Sequence, residues 1–171
     1  TTTFPRSVGQ LPLFYNHLNT GRPDPDSRMF NRYASNYLDE SNEPLYPFGY
    51  GLSYTDFVYG ELQISSETLP KNGELTVSVT VTNKGNYDGY ETVQLYLRDI
   101  YAEVARPMKE LKGFERIFLK SGESRDVKFV ITKDDLKFYN SELHYVYEPG
   151  EFDVMVGPNS RDVQTKSFQA E

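Results

Sequence analysis

The sequence of 171 residues lacks several residue types that whole classes of functional site require. It has no cysteine, which excludes disulfides, thiolate zinc sites and cysteine nucleophiles. It has no tryptophan, and its only two histidines, His17 and His144, lie far apart without a local spacing typical of metal ligands. We therefore interpret both histidines as structural, and we predict no metal site and no cofactor.

Clustered positive charge is also missing. The 18 lysines and arginines are outnumbered by 25 aspartates and glutamates, which leaves a formal net charge of −7. Binding to nucleic acid or to an anionic membrane surface depends on clustered cations, so this balance argues against both. No apolar run approaches the ~18 residues that a membrane-spanning helix needs, so the sequence predicts no membrane span.

Motifs of catalysis are missing as well: there is no Gly-x-Ser-x-Gly elbow, no P-loop and no dinucleotide fingerprint. Retaining glycoside hydrolysis needs two carboxyl groups about 5–5.5 Å apart, and nothing in the sequence brings two together. The stretch "DPDSR" and the pair Asp134–Asp135 lack the regular spacing of a calcium loop. We predict no catalytic residue in this chain, and we interpret the following carboxylates as surface groups: Asp39, Glu40, Glu43, Asp56, Glu110 and Glu148.

What the sequence does contain changes in character near residue 54. Residues 1–53 hold six of the ten prolines and no long periodic run, and residues 19–33 are interpreted as a loop. A segment of this kind cannot easily form a core of its own. We expect it to pack on the rest of the chain or on another domain.

From residue 54 onward, apolar and polar residues alternate with a period of two, which predicts half-buried antiparallel strands separated by turns. A slip of this alternation near Gly113 predicts a β-bulge, and Thr132 with Asp135 forms the pattern of a helix capping box. The residues predicted to face the core are Leu75, Val77, Val79, Val81, Val93, Leu95, Leu97, Val127, Phe129, Ile131, Phe152, Val154 and Val156.

Roughly seven short strands within about 115 residues predict an all-β sandwich. The lack of cysteine and of a core tryptophan argues against an antibody-type immunoglobulin domain. The sequence therefore predicts a fibronectin type III-like (immunoglobulin-like) β-sandwich with an irregular N-terminal arm.

The stretch "PLYPFGYGLSYTDF", residues 44–57, concentrates aromatic residues where no regular element is predicted. Pro44 and Pro47 favour an extended backbone, and Gly49 and Gly51 allow close approach or a positive φ. We expect a segment crossing between two packed domains, with some rings exposed in this chain alone and low solubility or dimers as a result. The rings predicted to pack between domains are Tyr46, Phe48, Tyr50, Tyr54 and Phe57.

Five segments, in the same order along the chain, carry a resemblance to a known family. They are "FPRSVGQLPLFYNHLNTGRP", "YLDESNEPLYPFGYGLSYTDF", "VTVTNKGNYDGYETVQLYLRD", "ARPMKELKGFERIFLKSGES" and "EPGEFDVMVG". Together they resemble the C-terminal region of glycoside hydrolase family 3 β-glucosidases of the periplasmic bacterial type. The resemblance covers essentially the whole chain.

The resemblance implies a domain organisation. Such enzymes have a TIM barrel, an α/β sandwich domain and a C-terminal fibronectin III-like domain. Residues 1–53 are then expected to be the tail of the α/β sandwich domain plus a linker, and residues 54–171 to be the third domain. The chain opens on Thr1 rather than on methionine and shows no signal peptide, so we expect it to be a fragment.

The resemblance also implies a function for the parent protein, which is hydrolysis of terminal β-linked glucose from β-glucosides with retention of configuration, in the periplasm or outside the cell. The nucleophile and the acid/base of such enzymes belong to the first two domains. We therefore expect this chain alone to be inactive and to support those domains, which are its expected partners. The substrate-binding residues are unknown, and the choice between glucosidase and xylosidase stays open.

An independent carbohydrate-binding module is the alternative. Exposed planar rings of a β-sandwich can stack on sugar rings, although tryptophan, which is frequent at such sites, is absent. A protein-binding or adhesion domain is a third interpretation, supported by the fold class alone. The candidate stacking residues are Tyr87, Tyr90, Tyr96 and Tyr101.

Overall fold

The computed structural model describes residues 2–19, 21–22 and 34–171. The stretch "DPDSR" and most of the predicted loop 19–33 lie outside the described residues. The strands are β1 (Phe57–Tyr59), β2 (Gln63–Ile64), β3 (Thr68–Leu69), β4 (Leu75–Asn83), β5 (Gly89–Asp99), β6 (Glu110–Leu119), β7 (Ser124–Ile131), β8 (Phe138–Tyr139), β9 (Tyr145–Val146), β10 (Gly150–Gly157) and β11 (Gln164–Ala170). The described helices are a 3-10 turn at Val8–Gln10 and α1 at Lys133–Leu136.

Two sheets face each other. In the first, β4 pairs with β7 on one side and with β1 and β2 on the other, antiparallel throughout. The second has the strand order β3–β11–β10–β5–β6, in which only the pairing of β3 with β11 is parallel. A separate hairpin joins β8 and β9. This arrangement confirms the predicted all-β sandwich.

The core between the sheets includes the residues that the alternation predicts, and also residues that it did not predict: Leu62, Leu69, Ile117, Leu119, Leu136, Phe168 and Ala170. The inward residues of β4, β5 and β10 are all 3% exposed or less. Val127 and Ile131 of β7 are buried with them, while Phe129 is half-buried and packs against this core. Alternation predicts these residues correctly because each strand has one face turned to the opposite sheet.

Two local predictions are also confirmed. The register between β5 and β6 shifts at Leu95 and Tyr96, which pair with Gly113 and Leu111 and leave Lys112 as the extra residue of a bulge. At the start of α1, the Thr132 backbone N–H donates to Asp135 Oδ2 at 2.8 Å, as a capping box requires.

The alternation fails on the outer face of β5. Gln94 and Tyr96 are predicted to face outward, yet they are 5% and 0% exposed. The N-terminal arm covers this face, so the centre of the strand is buried on both sides. The division of the chain at residue 53 stays a prediction, and the first strand begins at Phe57.

Candidate interdomain surface

The arm is held together by its own backbone. The Phe4 N–H donates to the carbonyl of Tyr46 at 3.0 Å, and the Leu45 N–H donates to the carbonyl of Phe4 at 2.9 Å. Gln10 is 1% exposed, and its Nε2 donates to the carbonyls of Ser41 at 2.7 Å and Glu43 at 3.3 Å. The buried amide therefore joins the two passes of the arm and compensates for its own desolvation.

Tyr15 anchors the arm to the second sheet. Its ring stacks on Phe48, with centroids 4.4 Å apart and planes 15° apart, and meets the Tyr96 ring edge-on at 5.7 Å. Its hydroxyl accepts a hydrogen bond from the Leu111 N–H at 3.4 Å. Aromatic pairs in these geometries add attraction beyond the area that they bury. The arm therefore lies on the outer face of β5 and β6.

Gln94 locks the turn of the aromatic stretch. Its Nε2 donates to the carbonyls of Gly49 at 3.2 Å and Pro158 at 2.7 Å, while its Oε1 accepts from the Tyr96 hydroxyl at 2.5 Å. Burial raises the pKa of Tyr96, so that hydroxyl keeps its proton. Gly49 has φ +81°, and a Cβ there would lie 2.1 Å from Gln94 Oε1. This position therefore requires glycine.

Lys109 stabilises the same turn through Ser160. Its Nζ donates to the carbonyl of Ser160 at 2.6 Å, and the Ser160 N–H donates to the carbonyl of Phe48 at 2.9 Å. Burial lowers the pKa of Lys109, while the nearby Glu43 and Asp162 oppose that shift. The turn is therefore held by the Gln94 amide and by the Ser160 N–H, and the Ser160 carbonyl in turn accepts a hydrogen bond from Lys109.

The five rings predicted to pack between domains have different surroundings. Tyr46 and Tyr50 stack with centroids 5.0 Å apart and are 43% and 40% exposed, and Tyr54 is 98% exposed. Phe48 is half-buried under Tyr15, and Phe57 packs against the core of the sandwich itself. Packing against another domain stays a prediction for these residues, and Tyr46, Tyr50 and Tyr54 present surface that the described residues do not cover.

Tyr46 and Tyr50, but not Tyr54, line one depression, which we call the aromatic groove. It is formed by Phe4, Tyr46, Phe48, Tyr50 and Leu52, with Gly49 and Gly51 in its wall. Phe4 is 56% and Leu52 is 90% exposed. Contiguous exposed apolar surface of this kind marks an interaction site. The groove is rigid because its turn is bonded to Gln94 and Ser160.

The tyrosines considered for sugar stacking do not behave alike. Tyr87, Tyr90 and Tyr101 are 65%, 55% and 78% exposed, but Tyr96 is fully buried, so its prediction as a surface platform is wrong. The Arg116 guanidinium lies 4.1 Å from the centre of the Tyr90 ring and covers one of its faces.

Sequence reasoning missed the burial of Gln10 and Gln94 because loop and outward-facing amides are normally exposed.

Three of the six carboxylates named above, Glu40, Glu110 and Glu148, form ion pairs or accept hydrogen bonds. Glu110 accepts from Arg106 and Lys112, each at 2.8 Å. Burial opposes its ionisation, but these two cations outweigh burial and hold the pKa of Glu110 below its usual value. Glu148 accepts from the Glu103 N–H at 3.2 Å, and Glu40 lies 3.9 Å from Arg6. These contacts account for Glu110, Glu148 and Glu40 without a catalytic role.

The two histidines lie at different places on the surface. The carbonyl of His17 accepts from the Met108 N–H at 2.8 Å, and His144 Nδ1 lies 3.4 Å from Glu142 Oε2. Within the part of the chain that the structure describes, no three histidine or acidic side chains cluster as metal ligands would. In the same part, no helix is long and apolar enough to cross a bilayer.

Known proteins share both the sequence and the fold of this chain. Residues 91–160 match the family model of the fibronectin type III-like domain. The chain is 51% identical over 167 residues to the periplasmic β-glucosidase of Salmonella typhimurium, which is 98% of this chain and 22% of that protein. It is 44% identical over 167 residues to a putative β-xylosidase of Formosa agariphila, covering 98% of this chain and 21% of that one.

A solved structure gives the same result in three dimensions. The β-glucosidase from Listeria innocua in complex with glucose superimposes with a TM-score of 0.88 at 45% identity, over 98% of this chain and 23% of that one. The chain thus spans less than a quarter of the length of these relatives. Along nearly its whole length, the chain therefore matches the C-terminal part of β-glucosidases of glycoside hydrolase family 3, and its residues 91–160 form a fibronectin type III-like domain.

Proposed function

We propose that this chain is the non-catalytic C-terminal part of a retaining β-glucosidase that removes terminal glucose from β-glucosides. The similarity to proteins named β-glucosidases over 98% of the chain carries this proposal. The chemistry needs two opposed carboxyl groups and a sugar pocket, which we assign to the upstream domains of the same protein. The contacts of Glu110, Glu148 and Glu40 are those of structural side chains.

Within that protein, the role of the chain is to buttress the catalytic domains. The aromatic groove supports this part of the proposal, because Phe4, Tyr46 and Tyr50 expose large rings at a turn held by hydrogen bonds. An upstream TIM-barrel or α/β sandwich domain that covers the groove would bury this apolar area and gain roughly 25 cal/mol per Å². The groove is therefore the proposed contact with the catalytic domains.

An assay of hydrolysis tests the activity. The full-length protein is expected to cleave an aryl β-glucoside, and this chain alone is expected to leave it intact. Because one relative is named a putative β-xylosidase, the aryl β-xyloside is assayed beside it. Turnover by this chain alone would refute the non-catalytic role, and a full-length protein that prefers the xyloside would refute the assignment as a glucosidase.

The compartment is proposed from the same relatives. The name of the Salmonella protein places it in the periplasm, and we infer a periplasmic or secreted location for this protein too. Osmotic shock of the native bacterium, followed by an immunoblot for this chain, tests the location. Recovery with the cytoplasmic fraction would contradict it.

A further inference from the structure

A hairpin outside the two main sheets carries a pair of exposed tyrosines. Tyr139 of β8 pairs with Tyr145 of β9, and their ring centroids lie 5.0 Å apart with planes at 43°. The two residues are 64% and 54% exposed. Their position directly opposite each other is a product of the hairpin register, and the five residues between them hide this proximity in the sequence.

The hairpin is a rigid support. The Asn140 N–H donates to the carbonyl of His144 at 3.0 Å, and Asn140 Oδ1 accepts from the N–H groups of Glu142 at 3.1 Å and His144 at 2.9 Å. Phe138, beside the pair, is 6% exposed, and the Arg106 guanidinium lies 4.4 Å from its ring centre. The rings are therefore held at the surface by a closed turn and a buried neighbour.

The surroundings of the two rings are polar and charged. Lys137 pairs with Asp134 at 2.6 Å and places its Nζ 6.0 Å from the centre of the Tyr145 ring. His144 and Glu142 lie 3.4 Å apart at the other end of the hairpin and are both exposed. Protein interfaces deplete lysine and glutamate at their cores, whereas a sugar needs planar rings beside hydrogen-bonding groups. This combination therefore fits a sugar better than an apolar protein surface.

We propose that Tyr139 and Tyr145 form a stacking platform for the glucosyl rings of a β-linked glucan, separate from the aromatic groove. The C–H faces of a pyranose lie against the tyrosine rings, and the Lys137 ammonium, 6.0 Å from the centre of the Tyr145 ring, supplies a hydrogen-bond donor to its hydroxyls. The class of sugar rests on the proposed function. The platform holds a long substrate on the enzyme and is not involved in bond cleavage.

Binding of cellohexaose to this chain tests the proposal without any use of hydrolysis. Two-dimensional NMR spectra are recorded during the titration, and the shifted amide signals are expected to map to residues 137–147. Tyr139→Ala with Tyr145→Ala is expected to weaken binding at least tenfold. Tyr139→Phe with Tyr145→Phe keeps the rings and is expected to retain most of the affinity. Phe114→Ala removes a ring that is 67% exposed elsewhere on the sandwich and is the matched control.

Three results would overturn the platform: no binding by the unchanged chain, amide shifts that map away from the hairpin, or full affinity in the double alanine variant. A double alanine variant that instead loosens the full-length protein, measured as a lower melting temperature, would indicate a protein contact at the hairpin. Failure of the full-length protein to hydrolyse β-glucosides would refute the proposed function and leave a measured platform intact.

Discussion

At the scale of single residues, the amide of Gln94 connects three separate parts of the chain. It bonds to Gly49 in the arm, to Pro158 after β10 and to Tyr96 two residues along its own strand. Each of these partners would lose a hydrogen bond without it, and a buried unpaired polar group costs about 1–3 kcal/mol. The geometry of the turn in the aromatic stretch therefore depends on one side chain.

Gly49→Ala tests how tightly this turn is fixed. The added methyl group would meet the Gln94 amide, and φ +81° is unfavourable for alanine. We expect a loss of about 1–3 kcal/mol in the free energy of unfolding, measured by urea titration. Gly51→Ala is the control, because a Cβ at Gly51 has no neighbour within 4 Å. Equal effects of the two substitutions would contradict the proposed constraint.

Glu91 links the two sheets and makes the stability of the fold depend on pH. The Tyr59 hydroxyl of β1 donates to Glu91 Oε1 of β5 at 2.7 Å. Burial raises the pKa of Glu91 above its ordinary value of 4.5, and the hydrogen bond from Tyr59 only partly opposes this. The folded state then holds the proton more tightly than the unfolded state. The stability contributed by this group therefore falls as the pH rises above about 4.5.

Glu91→Gln is expected to remove that dependence. The variant keeps an acceptor for Tyr59 but carries no charge, so it should be more stable than the unchanged chain at neutral pH. The two should converge below the ordinary pKa of glutamate, where Glu91 is protonated in both states. Urea unfolding across this range measures the difference, with the exposed Glu115→Gln as the control. A larger advantage of the variant at acidic pH would reverse the assigned sign.

At the scale of elements, the arm is a structure without strands that depends on the sheet beneath it. Its described hydrogen bonds to the sandwich are few, and the Tyr15 ring between Phe48 and Tyr96 supplies the aromatic contact. Segments with few buried contacts open at lower free energy than the core. The arm is therefore expected to be a separate unit of stability.

Tyr15→Ala tests this separation. The arm should lose its anchor, so amide hydrogens of Phe4, Leu45 and Met108 should exchange much faster, while those of β4 and β10 keep their protection. Hydrogen exchange followed by mass spectrometry measures both regions in one experiment. Phe14→Ala removes the neighbouring, more exposed ring and should leave the exchange of the arm nearly unchanged. Uniform loss of protection over the whole chain would show that the arm and the sandwich unfold together.

At the scale of the whole molecule, the exposed side chains of Leu52 and Tyr54 are difficult to explain within this chain. Leu52 and Tyr54 are 90% and 98% exposed, so they contribute little to its stability. Surface of this kind costs solubility unless it is covered. The proposed contact with the catalytic domains gives these residues a partner.

The double variant Leu52→Ser with Tyr54→Ser should therefore have little effect on the stability of this chain alone but should destabilise the full-length protein. In this chain alone, the free energy of unfolding should change by less than about 0.5 kcal/mol, and self-association measured by sedimentation should decrease. In the full-length protein, the melting temperature should fall by several degrees, roughly 2–4 °C for each kcal/mol lost in a domain of this size. Tyr87→Ser is the control for loss of an exposed ring. An unchanged full-length protein would refute the surface at Leu52 and Tyr54 as an interdomain contact.

Several elements could be predicted from the sequence because their causes are local. The core faces of β4, β5 and β10 follow from alternation, the bulge follows from a slip of that alternation, and the capping box follows from residues three apart. The resemblance to family 3 was equally local, since each segment is a short run of residues. These predictions needed no knowledge of which distant parts of the chain meet.

Features that depend on contacts between distant segments were decided only by the tertiary structure. Gln94 and Tyr96 are buried because the arm covers β5, and Gln10 is buried where two passes of the arm meet; no neighbour in sequence signals either contact. Tyr139 and Tyr145 form a pair because a hairpin sets them opposite each other. The sequence by itself determined the sandwich and the resemblance to its family, because the alternation of a strand and each family motif lie within short runs of adjacent residues. The groove and the tyrosine platform arose only from packing, since burial of a surface depends on segments that are far apart in the chain.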